Sequence, residues 1–163
     1  MLRQIILVLV CCAAPLQAAQ LTRDYQFQSL RDQKLTHLSH LEGQPTAIMF
    51  FEPECPWCIK QSVVLKKLQQ DCGQPIHPVA LGVNGDHLTL KRALFRLNFP
   101  FEAYRAPPEL LKEMGGIPAT PILLLLNVKG ELVKGYRGFT SEDELKAQLC
   151  RKRNANHTLR CGW

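Results

Sequence analysis

No stretch of this chain reaches the roughly twenty apolar residues that cross a bilayer; the run from Ile5 to Ala14 stops at about ten. Internal repeats, low-complexity tracts and an interdomain linker are all missing, which excludes solenoid, fibrous and multidomain arrays. Charged residues make up only 21% against 46% hydrophobic, so the chain lacks the composition of a disordered protein. Nor are its basic residues interleaved with aromatics on one face, as a nucleic-acid surface requires. Much of the +6 net charge sits in Arg151-Lys152-Arg153 and Arg160, a solvated tail after the last helical pattern. His37 and His40 are spaced like ligands on a turn, yet no carboxylate or third histidine follows in register, so no metal site is expected there. At 163 residues the chain amounts to one domain with room for a sizeable core.

Cysteine is what the chain has in excess. Seven are too many for a typical cytosolic protein, and compartment decides how they are read. Arg3 is a short basic region, Ile5 to Ala14 an apolar one, and Leu16-Gln17-Ala18 a usable small-residue cleavage site. Residues 1–18 therefore read as a cleaved secretory signal, with Cys11 and Cys12 as passengers in it. Its removal takes one positive charge, Arg3, and lowers +6 to +5. The mature chain is expected to be soluble and periplasmic, with a domain over 19–150 and a basic tail over 151–163.

The motif around which the domain is organised is Cys55-Pro56-Trp57-Cys58. Thr46 to Phe51 before it is continuous and apolar, bounded by Pro45, and reads as a buried strand. Ile59, Val63 and Leu65 to Leu68 after it recur at helical spacing until Asp71-Cys72-Gly73. Pro56 suits the first helical position, where no amide hydrogen is missed. Cys55 then lies at a helix N-terminus, where unpaired amides favour thiolate over thiol. Cys58, one turn in, is less exposed. That geometry makes Cys55 the attacking sulfur and Cys58 the resolving one. A fixed staple is the poorer reading, because a three-residue spacing closes almost no loop. Trp57, between the two, is read as an exposed apolar contact for substrate.

Local patterns place the remaining elements. Leu21 to Leu38 alternates loosely around Arg31-Asp32-Gln33, predicting a hairpin or two short strands. Val79 to Val83 is another apolar strand. Asn84-Gly85-Asp86 caps a helix whose inner face is Leu90, Ala93, Leu94 and Leu97. Phe99, Phe101 and Tyr104 are read as core and loop packing. Pro107-Pro108 to Gly115-Gly116 brackets one or two helical turns. Ile122 to Leu126 and Glu131 to Arg137 form a hairpin through Asn127 to Gly130, and Ser141 with Glu144 is a capping box for a last helix. The class is α/β, with a mixed sheet and helices on both faces.

A strand–CxxC–helix in this order resembles the thioredoxin fold, and more closely its exported TlpA-like branch. Gly43-Gln44-Pro45 before the central strand, Cys55-Pro56-Trp57-Cys58, and Thr120-Pro121 leading Ile122 to Leu126 toward Gly130 carry the resemblance, over about residues 22 to 150. It implies that Pro121 is cis and faces the disulfide, with Thr120 presenting its main chain to an incoming peptide and Pro56 and Trp57 beside it. Met49 stands where thioredoxins carry a buried acid, and Glu54 where they carry Trp. Glu52, three residues before Cys55, is then the candidate for proton transfer, and Glu54 would raise the Cys55 pKa against the helix effect. The activity implied is thiol–disulfide exchange with cysteine-containing proteins by a monomer without a cofactor, in the reducing direction, recharged by a membrane electron donor. The rivals are a Dsb-type oxidase or isomerase using the same residues, and a copper-handling protein, for which no histidine or methionine ligand can be placed beside the cysteines.

In this fold the CxxC helix and the final helix end at the same pole, so Cys72 can meet Cys150 or Cys161; Cys150–Cys161 is the local alternative. Peptide mapping of the non-reduced protein is expected to find one such pair, and three free thiols there would refute the staple.

Overall fold

The computed structural model describes residues 21–71 and 76–149, so the expected signal over 1–18, the expected tail over 151–163 and Cys72, Cys150 and Cys161 lie outside the described residues. The elements are β1 (Phe27–Ser29), β2 (Leu35–Thr36), a 3-10 turn (Leu38–Leu41), β3 (Thr46–Phe51), α1 (Pro56–Asp71), β4 (His77–Gly82), α2 (His87–Leu97), β5 (Glu102–Arg105), α3 (Pro108–Glu113), β6 (Ile122–Leu126), β7 (Leu132–Arg137) and α4 (Glu142–Leu149). One seven-stranded sheet runs in the order β2-β1-β5-β4-β3-β6-β7. Strands β3, β4 and β5 are parallel, while β6, β7 and the N-terminal hairpin are antiparallel to their neighbours.

Every residue of β3 is buried, because both faces of the sheet are covered. Ala47, Met49 and Phe51 pack with Leu65 and Leu68 of α1, Leu90 and Leu94 of α2, and Leu145 and Leu149 of α4. Ile48 and Phe50 face the other way, against Leu110 of α3, Leu38 and Leu41. Pro78 sits inside β4 without breaking it. The His77 N–H goes to the Pro45 carbonyl at 2.8 Å on the β3 side, so the donor that Pro78 lacks faces β5, where pairing begins only at Val79.

The structure differs from the sequence reading in two places. Glu102 to Arg105 forms β5, which joins the parallel strands to the hairpin. Four residues with charged ends carry no strand signal of their own; pairing on both edges makes the strand. It also splits the aromatic group, with Phe99 on the α1–α2 side of the sheet and Tyr104 on the other. The second difference is in α1. Ile59 and Val63 are 42% and 43% exposed, and the helix turns Cys58, Gln61, Ser62, Leu65 and Leu68 inward instead. Two of its buried polar atoms are held by tertiary bonds: Ser62 Oγ reaches the Leu97 carbonyl at 2.8 Å, and Gln61 Oε1 accepts from Thr140 N at 2.8 Å.

Helix α2 starts where its cap requires. The Asp86 carboxylate accepts from the Thr89 N–H at 2.7 Å and the Thr89 hydroxyl at 2.9 Å, and the backbone bond, then the hydroxyl bond, hold its carboxyl below the usual carboxylate range. A carboxyl lowered by folding adds stability above its unfolded pKa, and that stability is lost as pH falls through the folded value. Asp86→Ala is therefore expected to unfold at lower urea concentration at pH 7, with the gap to wild type closing below about pH 4. An equal gap at both pH values would contradict the cap's charge dependence.

Candidate active site

Strand β3 leaves the core at Phe51, and three residues, Glu52-Pro53-Glu54, carry the chain to Cys55 and into α1. Cys55 and Cys58 are joined by a disulfide, with their Cα atoms 5.3 Å apart. The Cys58 N–H points at Cys55 Sγ, 3.1 Å away, and also reaches the Cys55 carbonyl at 3.2 Å. Cys58 is fully buried, whereas Cys55 keeps 8% of its surface. The more accessible sulfur thus has a backbone donor and the start of a sixteen-residue helix behind it.

Strand β6 lies antiparallel to β3 with Ile122 opposite Phe50. Continuing that register sets Pro121 beside Phe51 and Thr120 beside Glu52, at the end of the sheet from which Cys55 emerges. The Thr120–Pro121 peptide is cis, the one such bond among the described residues. Glu52 ties this end together. Its Oε1 accepts from Thr120 Oγ1 at 2.9 Å, and its Oε2 accepts from Asn84 Nδ2 at 3.1 Å. Three loops, after β3, after β4 and before β6, meet on one carboxylate.

Glu54 does not stand alone beside Cys55. Its side chain is 88% exposed and pairs with Arg96 Nη2 at 3.0 Å, while the same nitrogen donates to the Pro53 carbonyl at 2.6 Å. The expectation that Glu54 opposes the helix effect is thereby weakened, since a guanidinium from α2 meets its charge. Trp57 is 51% exposed, its ring 6.0 Å from that of Phe139, with Lys60 Nζ 4.2 Å above it. Glu52, Cys55, Pro56, Ile59 and Arg96 line a cavity of about 350 Å³. Nothing in the linear chain linked Asn84, Arg96 or Phe139 to the motif, since each reaches it from a distant segment.

His40 and His77 are placed at the opposite pole. His40 Nε2 is 2.8 Å from Glu102, His77 Nε2 is 3.6 Å from it, and the Tyr104 hydroxyl donates to it at 2.7 Å. A carboxylate does therefore meet His40, but it comes from β5, sixty-two positions along. Burial raises the Glu102 pKa, and the bonds from Tyr104 and His40 with the nearby imidazoles outweigh it, leaving the group below its ordinary value. Among the described residues no group of three or more His, Cys, Asp and Glu side chains is arranged to hold a metal ion. The cluster clasps the hairpin region to β4 and β5.

The family model described as TraF, F plasmid transfer operon protein, matches residues 16–150 of the chain. No curated protein matches it. Among solved structures the chain is similar to Mycobacterium tuberculosis DsbF in mixed oxidised and reduced forms, at 20% identity over 78% of this chain and 92% of that one, with a TM-score of 0.63. It is also similar to a secreted M. tuberculosis disulfide oxidoreductase homologous to E. coli DsbE, at 18% identity over 78% and 94%, TM-score 0.61. A third is the exposed lipoprotein thioredoxin of Streptococcus pneumoniae, at 18% over 76% and 95%, TM-score 0.62. At these identities the likeness is one of fold, and the fold is that of thioredoxin.

Replacing Glu52 by Leu removes both of its bonds and leaves the half-buried Thr120 hydroxyl without a partner. A loss of about 1–2 kcal/mol in unfolding free energy is expected from chemical denaturation; unchanged stability would mean that the clamp holds nothing.

Proposed function

The chain belongs to the TraF family of F plasmid transfer operon proteins, and from that premise we propose that it is an exported thiol–disulfide oxidoreductase acting on cysteine-containing proteins, as a monomer and in the reducing direction. The observation that carries the exchange chemistry is the Cys58 N–H aimed at Cys55 Sγ at the head of α1; the reducing direction rests on the TlpA-like resemblance alone. A donor in that position lowers the energy of a thiolate at Cys55 once the disulfide opens. In the reducing direction, the Cys55 thiolate attacks one sulfur of a substrate disulfide. A mixed disulfide forms and the substrate's other sulfur leaves as a thiolate. Cys58, deprotonated, then attacks Cys55 Sγ, restores the Cys55–Cys58 bond and releases the second substrate thiolate. The protein gives up two electrons and the two thiol protons, and a dithiol donor at the membrane must return them.

Thr120 and Pro121, at the same end of the sheet, orient the substrate backbone, and Pro56 and Trp57, with Phe139, receive its side chains. Glu52 serves here as the acceptor that positions Thr120; proton transfer to or from Cys58 is the alternative role, which a shifted pH–rate profile of Glu52→Gln would reveal. Export rests on the signal-like residues 1–18 and on the secreted and surface-exposed character of two structural relatives. Among the described residues no helix is long and apolar enough to cross a membrane.

A second reading has an observation in its favour. The Cys58 amide and the Arg96 charge over Glu54 both stabilise reduced Cys55, and a stabilised reduced form makes a strong oxidant. The reduction potential in glutathione buffers, followed by Trp57 fluorescence, separates the two. A value near about −270 mV is expected; one near about −120 mV would reverse the direction. Cys58→Ser is expected to accumulate mixed disulfide with substrate and Cys55→Ser to form none. If neither cysteine exchanges, the enzyme reading fails.

A further inference from the structure

Helix α2 exposes two large apolar side chains that the core does not use: Phe95, 88% exposed, and Leu88, 55% exposed. Seven positions apart, they lie two turns from each other on one side of the helix. Both line a groove of about 1100 Å³ that runs between α2 and the segments at Leu30 and Phe99-Pro100. Its lining contains four cations, Arg31, Lys91, Arg92 and Arg96, and no carboxylate. Arg31 and Lys91 are held by backbone carbonyls, of Phe99 and Phe101 for the first and of Arg31 for the second. Such neutral acceptors orient a cation without cancelling its charge. Arg92 is near Asp86, whose carboxylate is already taken up by Thr89; Arg96 alone has a bonded counter-charge, Glu54. Arg96 is also a wall of the cavity that contains Cys55, so the groove and that cavity adjoin at this residue.

We infer that this groove binds the stretch of substrate polypeptide flanking the reactive cysteine, and that it selects an acidic stretch carrying an apolar anchor for Phe95 and Leu88. This rests on the oxidoreductase reading above. The chain's own termini and a second copy fit the charge poorly, and a bilayer fits the shape poorly. Residues 1–20 and 150–163 contain no Asp or Glu and add further cations. A second copy packed symmetrically would set like charges face to face. A bilayer is flat, whereas the groove is concave.

The test uses two synthetic peptides, each with one cysteine blocked as a mixed disulfide with a chromophoric thiol. One carries Phe among Asp and Glu, and the other Phe among Lys. The reduced protein is expected to release the chromophore from the acidic peptide about tenfold faster at low ionic strength, with the advantage shrinking in salt. In the triple variant Phe95→Ala, Lys91→Glu, Arg92→Glu, the ratio between peptides should fall to about one or below. Equal rates with both peptides in the wild type would overturn the groove assignment and leave the redox reading standing. No release from either would overturn the redox reading and, with it, this one. Equal peptide rates together with dimerisation, or with pelleting on phosphatidylglycerol vesicles, that Phe95→Asp abolishes would assign the face to another occupant and likewise overturn it.

Discussion

The constraint on which the reactive end depends is the burial of β3 on both faces. A strand with six consecutive buried residues cannot slide or rotate without exposing one of two cores, so its C-terminal end is delivered to one position. Cys55 follows that end by only four residues, and α1 starts immediately after it. Helix α1 is itself held from three sides: by apolar packing on the sheet, by Ser62 against the end of α2, and by Gln61 against the loop before α4. The sulfur's surroundings, a backbone N–H and a helix N-terminus, are thus inherited from the packing of elements several residues away.

Around that position the polar groups are distributed by pole. At the disulfide end, one carboxylate, Glu52, gathers three loops, and one guanidinium, Arg96, joins α2 to the residues before Cys55. At the far end, Glu102 gathers His40, His77 and Tyr104. Both carboxylates accept from side-chain donors of separate segments, Thr120 and Asn84 at the near end and Tyr104 at the far end. The near one stands beside exposed apolar surface, Trp57 and Phe139, whereas the far one fastens the hairpin edge. The difference in surroundings sets Glu52 on the face that bears the disulfide and Glu102 within the scaffold.

Much of this was readable along the chain, for identifiable reasons. β3 and β6 were legible as unbroken apolar runs, α2 as a cap followed by Leu90, Ala93, Leu94 and Leu97, and α4 by Ser141 ahead of Glu144; each signal lies within one element. β5 was not legible, because Glu102 to Arg105 becomes a strand only when β4 and β1 stand on either side. The inner face of α1 was misjudged for a related reason. Ile59 and Val63 are as apolar as Leu65, and only the position of the sheet and of Thr140 decides that Gln61 and Ser62 go in and they stay out.

By itself the sequence determined the chemistry: two thiols three apart at a strand-to-helix junction, with Pro56 to start the helix and Thr120-Pro121 to open a later strand. Those are local covalent and propensity effects, and they act within a few residues. Only the tertiary structure decided what surrounds the thiols, because Asn84, Arg96, Thr120 and Phe139 reach the site across separations of about thirty to eighty positions. Such contacts exist only once the sheet order has been set, and no local periodicity encodes that order.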